Sequence, residues 1–99
     1  MYKPPQKVKQ NAKIALNCIS NGSDAMTRVG RQTARLLASG KPVSKSKLKQ
    51  ISKFNRHRKN KTVPSGVKPC DDNGYVAWKG WGGDAGVRWA KSKLKNGRK

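Results

Sequence analysis

His57 is the one histidine of the chain, and its surroundings are those a metal-assisted phosphodiester hydrolysis would draw on. Asn60 follows three positions later, and the carboxylates Asp71 and Asp72 come further along. A His/Asn site of that kind is held on a strand–loop scaffold that fixes ligand and base geometry. No segment here alternates apolar and polar residues as a strand would. Cys70, beside Asp71 and Asp72, adds a soft ligand to the same set, but the paired Cys-x-x-Cys spacing of a zinc site is absent. Gly80-Trp81-Gly82-Gly83 is not followed by Gly-Lys-Ser/Thr, so it is not a phosphate-cradling loop of the Walker type. Asp24 and Asp84, the two other carboxylates, stand where helix caps are expected. The expectation is a non-enzymatic chain with no catalytic residue, no metal and no cofactor.

Cations are what the chain has in abundance. Lys and Arg number 24 against four Asp, a net charge of +20 in 99 residues. A folded domain carrying that charge repels itself unless an anion is close, and nucleic acid is the polyanion that best matches it. Spacing sharpens the point. Arg28, Arg31 and Arg35 are three and four apart, so they share one helix face. Lys45, Lys49, Lys53 and Arg56 form a denser stripe, and Arg88 and Lys91 a third, which Lys95 extends. His57, Arg58, Lys59 and Lys61 follow one another in a polar stretch. Like charges at i, i+4 each destabilise an isolated helix by about 0.2–0.5 kcal/mol, and nothing acidic is interleaved to offset them. A merely solvated face mixes signs. Leaving Lys95 aside, these thirteen residues are therefore the expected phosphate contacts, in largely sequence-tolerant binding. Duplex DNA is the favoured partner, and RNA stays open because its phosphates are read the same way. Proteins with acidic surfaces are the alternative partners. The chain would then be a structural protein docking on such a surface or a basic inhibitor of a nucleic-acid enzyme.

The elements that must hold these cations are helical. Val8, Ala12, Ala15 and Ile19, widened by Leu16, predict a first helix ended by Asn21-Gly22. Ser23 or Asp24 caps a second, with Met26, Val29, Thr33 and Leu37 inward and Gly30 marking a close approach. Ser44 caps a third that turns Leu48, Ile51 and Phe54 to the core. Residues 55–73, broken by Pro64, Gly66 and Pro69, read as a long basic loop. A short turn around Trp78 precedes a last helix with Val87, Ala90 and Leu94. The fold class is all-α: one small bundle of three to four helices. Its parts are a flexible arm over 1–6, a helical nucleic-acid-binding domain over 7–94, and a basic tail over 95–99. Trp78 and Trp89 are expected in the core, with Trp81 partly exposed. Cys18, in the apolar stripe, is expected as a free core residue rather than a disulfide partner. The opening residues lack the apolar region of a signal peptide, and no apolar run approaches a membrane span. The expected setting is intracellular and soluble.

The order of short sequences also resembles a known module. Ala12-Lys13-Ile14-Ala15-Leu16, Gly22-Ser23, Val29-Gly30, Thr33 to Gly40, Val43-Ser44 and Arg56-His57-Arg58-Lys59-Asn60 come in turn. Gly74-Tyr75-Val76-Ala77-Trp78 and Trp81-Gly82-Gly83-Asp84-Ala85-Gly86 with Trp89-Ala90 complete the run. Over about residues 8–94 this is similar to a small module of bacteriophage and prophage proteins associated with head morphogenesis, its most specific stretch being Trp81 to Ala90. The resemblance implies a viral origin, a helical module, and a site around His57 and the Trp81–Asp84 turn. With that origin the setting becomes the host cytoplasm or nucleoid, or the virion, and the alternative partners become viral or host proteins. It departs after the histidine, where the module carries acidic residues and this chain has Arg58, Lys59 and Lys61.

Overall fold

The computed structural model describes residues 1–96, so Gly97, Arg98 and Lys99 of the expected basic tail lie outside the described residues. Helix α1 (Gln6–Ser20) starts behind Pro4-Pro5, where a fixed φ and a missing N–H do no harm. It buries Val8, Ala12, Ala15 and Cys18 at three- and four-residue steps. Asn21-Gly22 stops it as expected: Gly22 takes φ 106°, and the Ser23 N–H returns to the Cys18 carbonyl at 3.0 Å.

Helix α2 (Arg28–Ser39) begins later than the Ser23/Asp24 caps imply. Thr27 supplies the cap, its hydroxyl accepting from the Gly30 N–H at 3.1 Å, while Ser23 accepts from Ala25 in the preceding turn. Met26 between them takes φ 72°, which a helix does not allow. The inward face becomes Gly30, Thr33, Ala34 and Leu37, and Val29 is 51% exposed, correcting the expected Met26–Val29–Thr33–Leu37 face. The close approach foreseen at Gly30 is real: Met26 and the Trp81 indole lie against it.

Helix α3 (Lys45–Lys53) follows its reading closely. Ser44 accepts from the Lys47 N–H at 3.1 Å, and Leu48 and Ile51 are fully buried. The stretch expected as loop is partly wound. Phe54–Lys61 forms a 3₁₀ run kinked at His57, and Pro69–Asp71 a single 3₁₀ turn. The turn expected around Trp78 is a short helix, α4 (Asn73–Gly80), with the Asp72 carboxylate accepting from the Tyr75 N–H at 3.0 Å. Helix α5 (Gly83–Asn96) closes the fold. The molecule is all-α, as its patterning implies; among the described residues the one extended pairing is a single Tyr2–Val43 bridge. That bridge, with N–H to carbonyl distances of 2.9 and 2.8 Å, pins the arm that was expected to be loose.

Helix α1 serves two cores. Its first half joins Leu37, Val43, Leu48, Ile51, Trp89 and Ala90; its second half joins Ala25 and Val76. Each of the larger aliphatic side chains contributes about 1.5–3 kcal/mol on burial. Trp78 and Trp89 are core residues, as expected. Cys18 is buried too, yet it is not free: it forms a disulfide with Cys70 across 52 residues of sequence. Pro69 and the 3₁₀ turn it starts lay Cys70 against α1, a long-range approach that isolated cysteines give no spacing to foresee.

Candidate nucleic-acid interface

Because Leu48 and Ile51 face the core from α3, Lys45 and Lys49 stand one helical turn apart on its outer side. On α5, the burial of Val87 and Ala90 does the same for Lys91 and Lys95. The two helices pack against each other, and these four lysines meet around an open groove of about 650 Å³ with half-buried Leu94 in its wall. Among the described residues, no carboxylate lines it. Lys53 and Arg56, both exposed, continue the α3 row beyond the groove.

A second group of cations is engaged inside the protein. Arg58 forms an ion pair with Asp84, donates from Nε to the Asn55 side-chain oxygen Oδ1 at 2.9 Å, and stands 5.7 Å from the Trp78 ring centre. Lys61 reaches the other Asp84 oxygen at 3.9 Å. Among the described residues, both ion pairs end on Asp84. Asp84, expected as a helix cap, lies instead within the first turn of α5, where a negative charge also meets the helix dipole. Lys7, Lys79 and Arg88 border the same cavity of about 480 Å³. Arg31 is likewise turned inward, donating to the Ala25 carbonyl at 3.1 Å and the Ser23 carbonyl at 3.4 Å. Arg31, Arg58 and Lys61, expected as phosphate contacts, thus also have partners within the fold, while Arg58 and Lys61 keep 41% and 49% of their side chains exposed.

Arg28 and Arg35 remain exposed on α2, and Lys59 on the 3₁₀ run. His57 is half-buried at the kink, its ring 4.7 Å from that of Phe54, and it accepts from Arg56 Nε at 3.2 Å. Among the described residues no three His, Cys, Asp or Glu side chains gather as an ion would need, and the Cys70 sulfur is bonded to Cys18.

The Trp81–Asp84 turn is a built corner. Buried Asn11 donates to the Gly82 carbonyl at 2.8 Å and accepts from Lys79 at 3.4 Å, tying α1 to the start of α5. Gly82 has φ 101°, and a Cβ at Gly86 would meet the Trp81 carbonyl oxygen at 2.7 Å. The turn leaves Trp81 half-exposed and nearly parallel to Phe54, ring centres 5.1 Å apart and planes 15° from one another. Lys47 lies 5.4 Å from the Trp81 ring centre and donates to Thr33 Oγ1 at 3.1 Å; its burial there lowers its pKa from the usual lysine value.

Sequence reasoning placed Lys95 in line with Lys91 but missed that this row meets Lys45 and Lys49, because the packing of α3 on α5 leaves no signal in local spacing. It also missed Lys7 and Lys79, which lie on helices whose outer faces carry few other cations. No described helix is long and apolar enough to cross a membrane. The chain matches no family model, no curated protein and no solved structure.

Proposed function

We propose that the chain is a non-enzymatic nucleic-acid-binding protein that grips phosphate backbone through the α3–α5 groove, with duplex DNA as its favoured partner. The observation that carries this reading is the meeting of Lys45, Lys49, Lys91 and Lys95 around one open groove without a carboxylate. Four lysines along one groove raise the local positive potential, and a row of phosphates laid there is neutralised while releasing its own counterions. Lys53 and Arg56 extend the contact along α3. Arg28, Arg35, Lys59 and Arg88 are exposed cations that add to the general field. The absence of a base-reading constellation in the groove supports sequence-tolerant binding, because lysine offers a point charge rather than a bidentate fork.

A bacteriophage setting, in the host or the virion, rests on the resemblance of residues 8–94 to the head-morphogenesis module. The Cys18–Cys70 bond adds that a form of the protein lasting in an oxidising environment, such as a released particle, would keep this link closed.

Fluorescence anisotropy with duplex DNA, single-stranded DNA and duplex RNA, each across a salt series, tests the proposal. The expected result is micromolar or tighter duplex affinity at physiological salt, with log K falling by about 0.9 per phosphate contact for each decade of salt. Weak, salt-insensitive binding to all three would contradict it and direct attention to an acidic protein partner.

A further inference from the structure

At the far end of the α3 cation row lies a smaller recess of about 240 Å³. Trp81 and Phe54 form its aromatic wall, exposed Val29 closes one side, and Gln50, Lys53 and Arg56 complete the lining. The corner that holds Trp81 is rigid: Gly82 and Gly86 let the backbone fold tightly beneath it, and Asn11 anchors the turn. Exposed Val29 and half-exposed Trp81 and Phe54 make an apolar surface without a partner, set among cations rather than at random. The two rings stack on each other, with Lys47 over Trp81 and with His57 and Trp78 beside Phe54, so a base in the recess meets the part of this aromatic column that Val29 and Gln50 leave open.

We infer that this recess takes one unpaired nucleobase, held against the open part of the Trp81–Phe54 pair. Gln50 offers an amide to the base edge, and Lys53 and Arg56 hold the flanking phosphates. This rests on the nucleic-acid reading above and sharpens it. Lys45 and Lys53 are about 12 Å apart along α3 at the helical rise of 1.5 Å per residue, so one strand can run from groove to recess. The preferred ligand is therefore a duplex with an unpaired end or gap, its paired part against the lysines and its first free base in the recess. A fully paired duplex keeps its bases stacked inside and offers nothing to the aromatic wall, whereas a single strand presents a π-face at every step.

The test compares three ligands of equal charge on the intact chain at one salt concentration: a blunt duplex, the same core with a short thymidine overhang, and that core with an abasic overhang, the blunt duplex being lengthened to equalise phosphates. The thymidine overhang should bind about tenfold tighter than the abasic one, the effect expected for one base on an aromatic platform. Its binding should also quench tryptophan emission, because Trp81 is the half-exposed indole while Trp78 and Trp89 are buried. Trp81→Ala would also disturb the corner, so the blocking variant is Val29→Trp, a substitution at an exposed position that fills the recess. It should abolish the preference and leave blunt-duplex binding within about twofold, since it removes no cation. Equal affinity for thymidine and abasic overhangs, with duplex binding intact, overturns the recess alone. Failure of all three ligands to bind overturns the groove reading and this inference together.

Discussion

The α3–α5 groove and the cavity around Asp84 use the same kinds of residue to opposite ends. Around Asp84, Arg58 and Lys61 share one carboxylate, and Arg58 also meets Asn55 and the Trp78 ring. Those cations hold the kinked Phe54–Lys61 segment to α5. Around the groove, among the described residues, Lys45, Lys49, Lys91 and Lys95 are lined up with each other and Leu94. The first arrangement joins parts of the fold; the second leaves cations that, on the proposed function, would meet an anion. Net charge alone cannot tell these apart. What a cation does in this protein is decided by whether the fold brings a carboxylate or a carbonyl to it.

That contrast can be pressed from several sides. The largest effect on stability should come from opening the Cys18–Cys70 bond, which closes a 52-residue separation and adds about 4 kcal/mol by restricting the unfolded chain. Denaturation of the Cys18→Ser/Cys70→Ser protein should show that loss. Its duplex affinity at a temperature where it stays folded should be unchanged, because neither cysteine borders the groove. Asp84→Asn comes next. It should cost about 1 kcal/mol of stability, as partly exposed pairs do, yet raise duplex affinity and steepen the salt slope by releasing Arg58 and Lys61. A drop in affinity would mean that Asp84 orients a contact rather than withholding one.

Arg31 and Arg35 provide a matched pair on α2. Arg31→Gln removes two hydrogen bonds to backbone carbonyls and should lower stability by about 1 kcal/mol, with little change in binding. Arg35→Gln should leave thermal stability within about 0.5 kcal/mol, since it is an exposed site without such partners. The smallest effect concerns Lys47. Its folded-state pKa is lowered by burial, so the folded chain releases this proton before the unfolded chain does. Its contribution to stability is therefore least favourable while Lys47 is protonated in both states, and rises with pH from the lowered folded value up to the ordinary 10.5. Urea denaturation of wild type and Lys47→Gln over that alkaline range should show the rise in the first and its absence in the second.

What could be read from the sequence was what depends on neighbours along the chain. The α3 helix, its Ser44 cap and its Lys45–Lys49–Lys53 row all follow from steps of three and four residues, and the all-α class follows from the lack of alternation. The start of α2 was misread because Ser23 is as good a cap as Thr27 by residue type. Met26 in the left-handed region decides between them, and the shift turns Val29 outward. Contacts across long separations were illegible: Arg58 with Asp84, Cys18 with Cys70, and Asn11 with the Gly82 carbonyl. Among the candidate cations, spacing foreshadowed that Lys45, Lys49 and Lys91 share outer helix faces, but not that Arg31, Arg58 and Lys61 find partners within the fold, because a cation's partner is chosen by the tertiary fold.

The most direct measurement is the salt dependence of duplex binding by wild type and by the protein with Lys45, Lys49, Lys91 and Lys95 all changed to Gln. These side chains are exposed and mutually repelling, so the variant should fold at least as stably as wild type. The account predicts that the slope of log K against log salt falls by about 3.6, which is 0.9 for each of the four phosphates that the variant no longer neutralises. An unchanged slope in a folded variant would contradict it and show that the groove is not where nucleic acid is held.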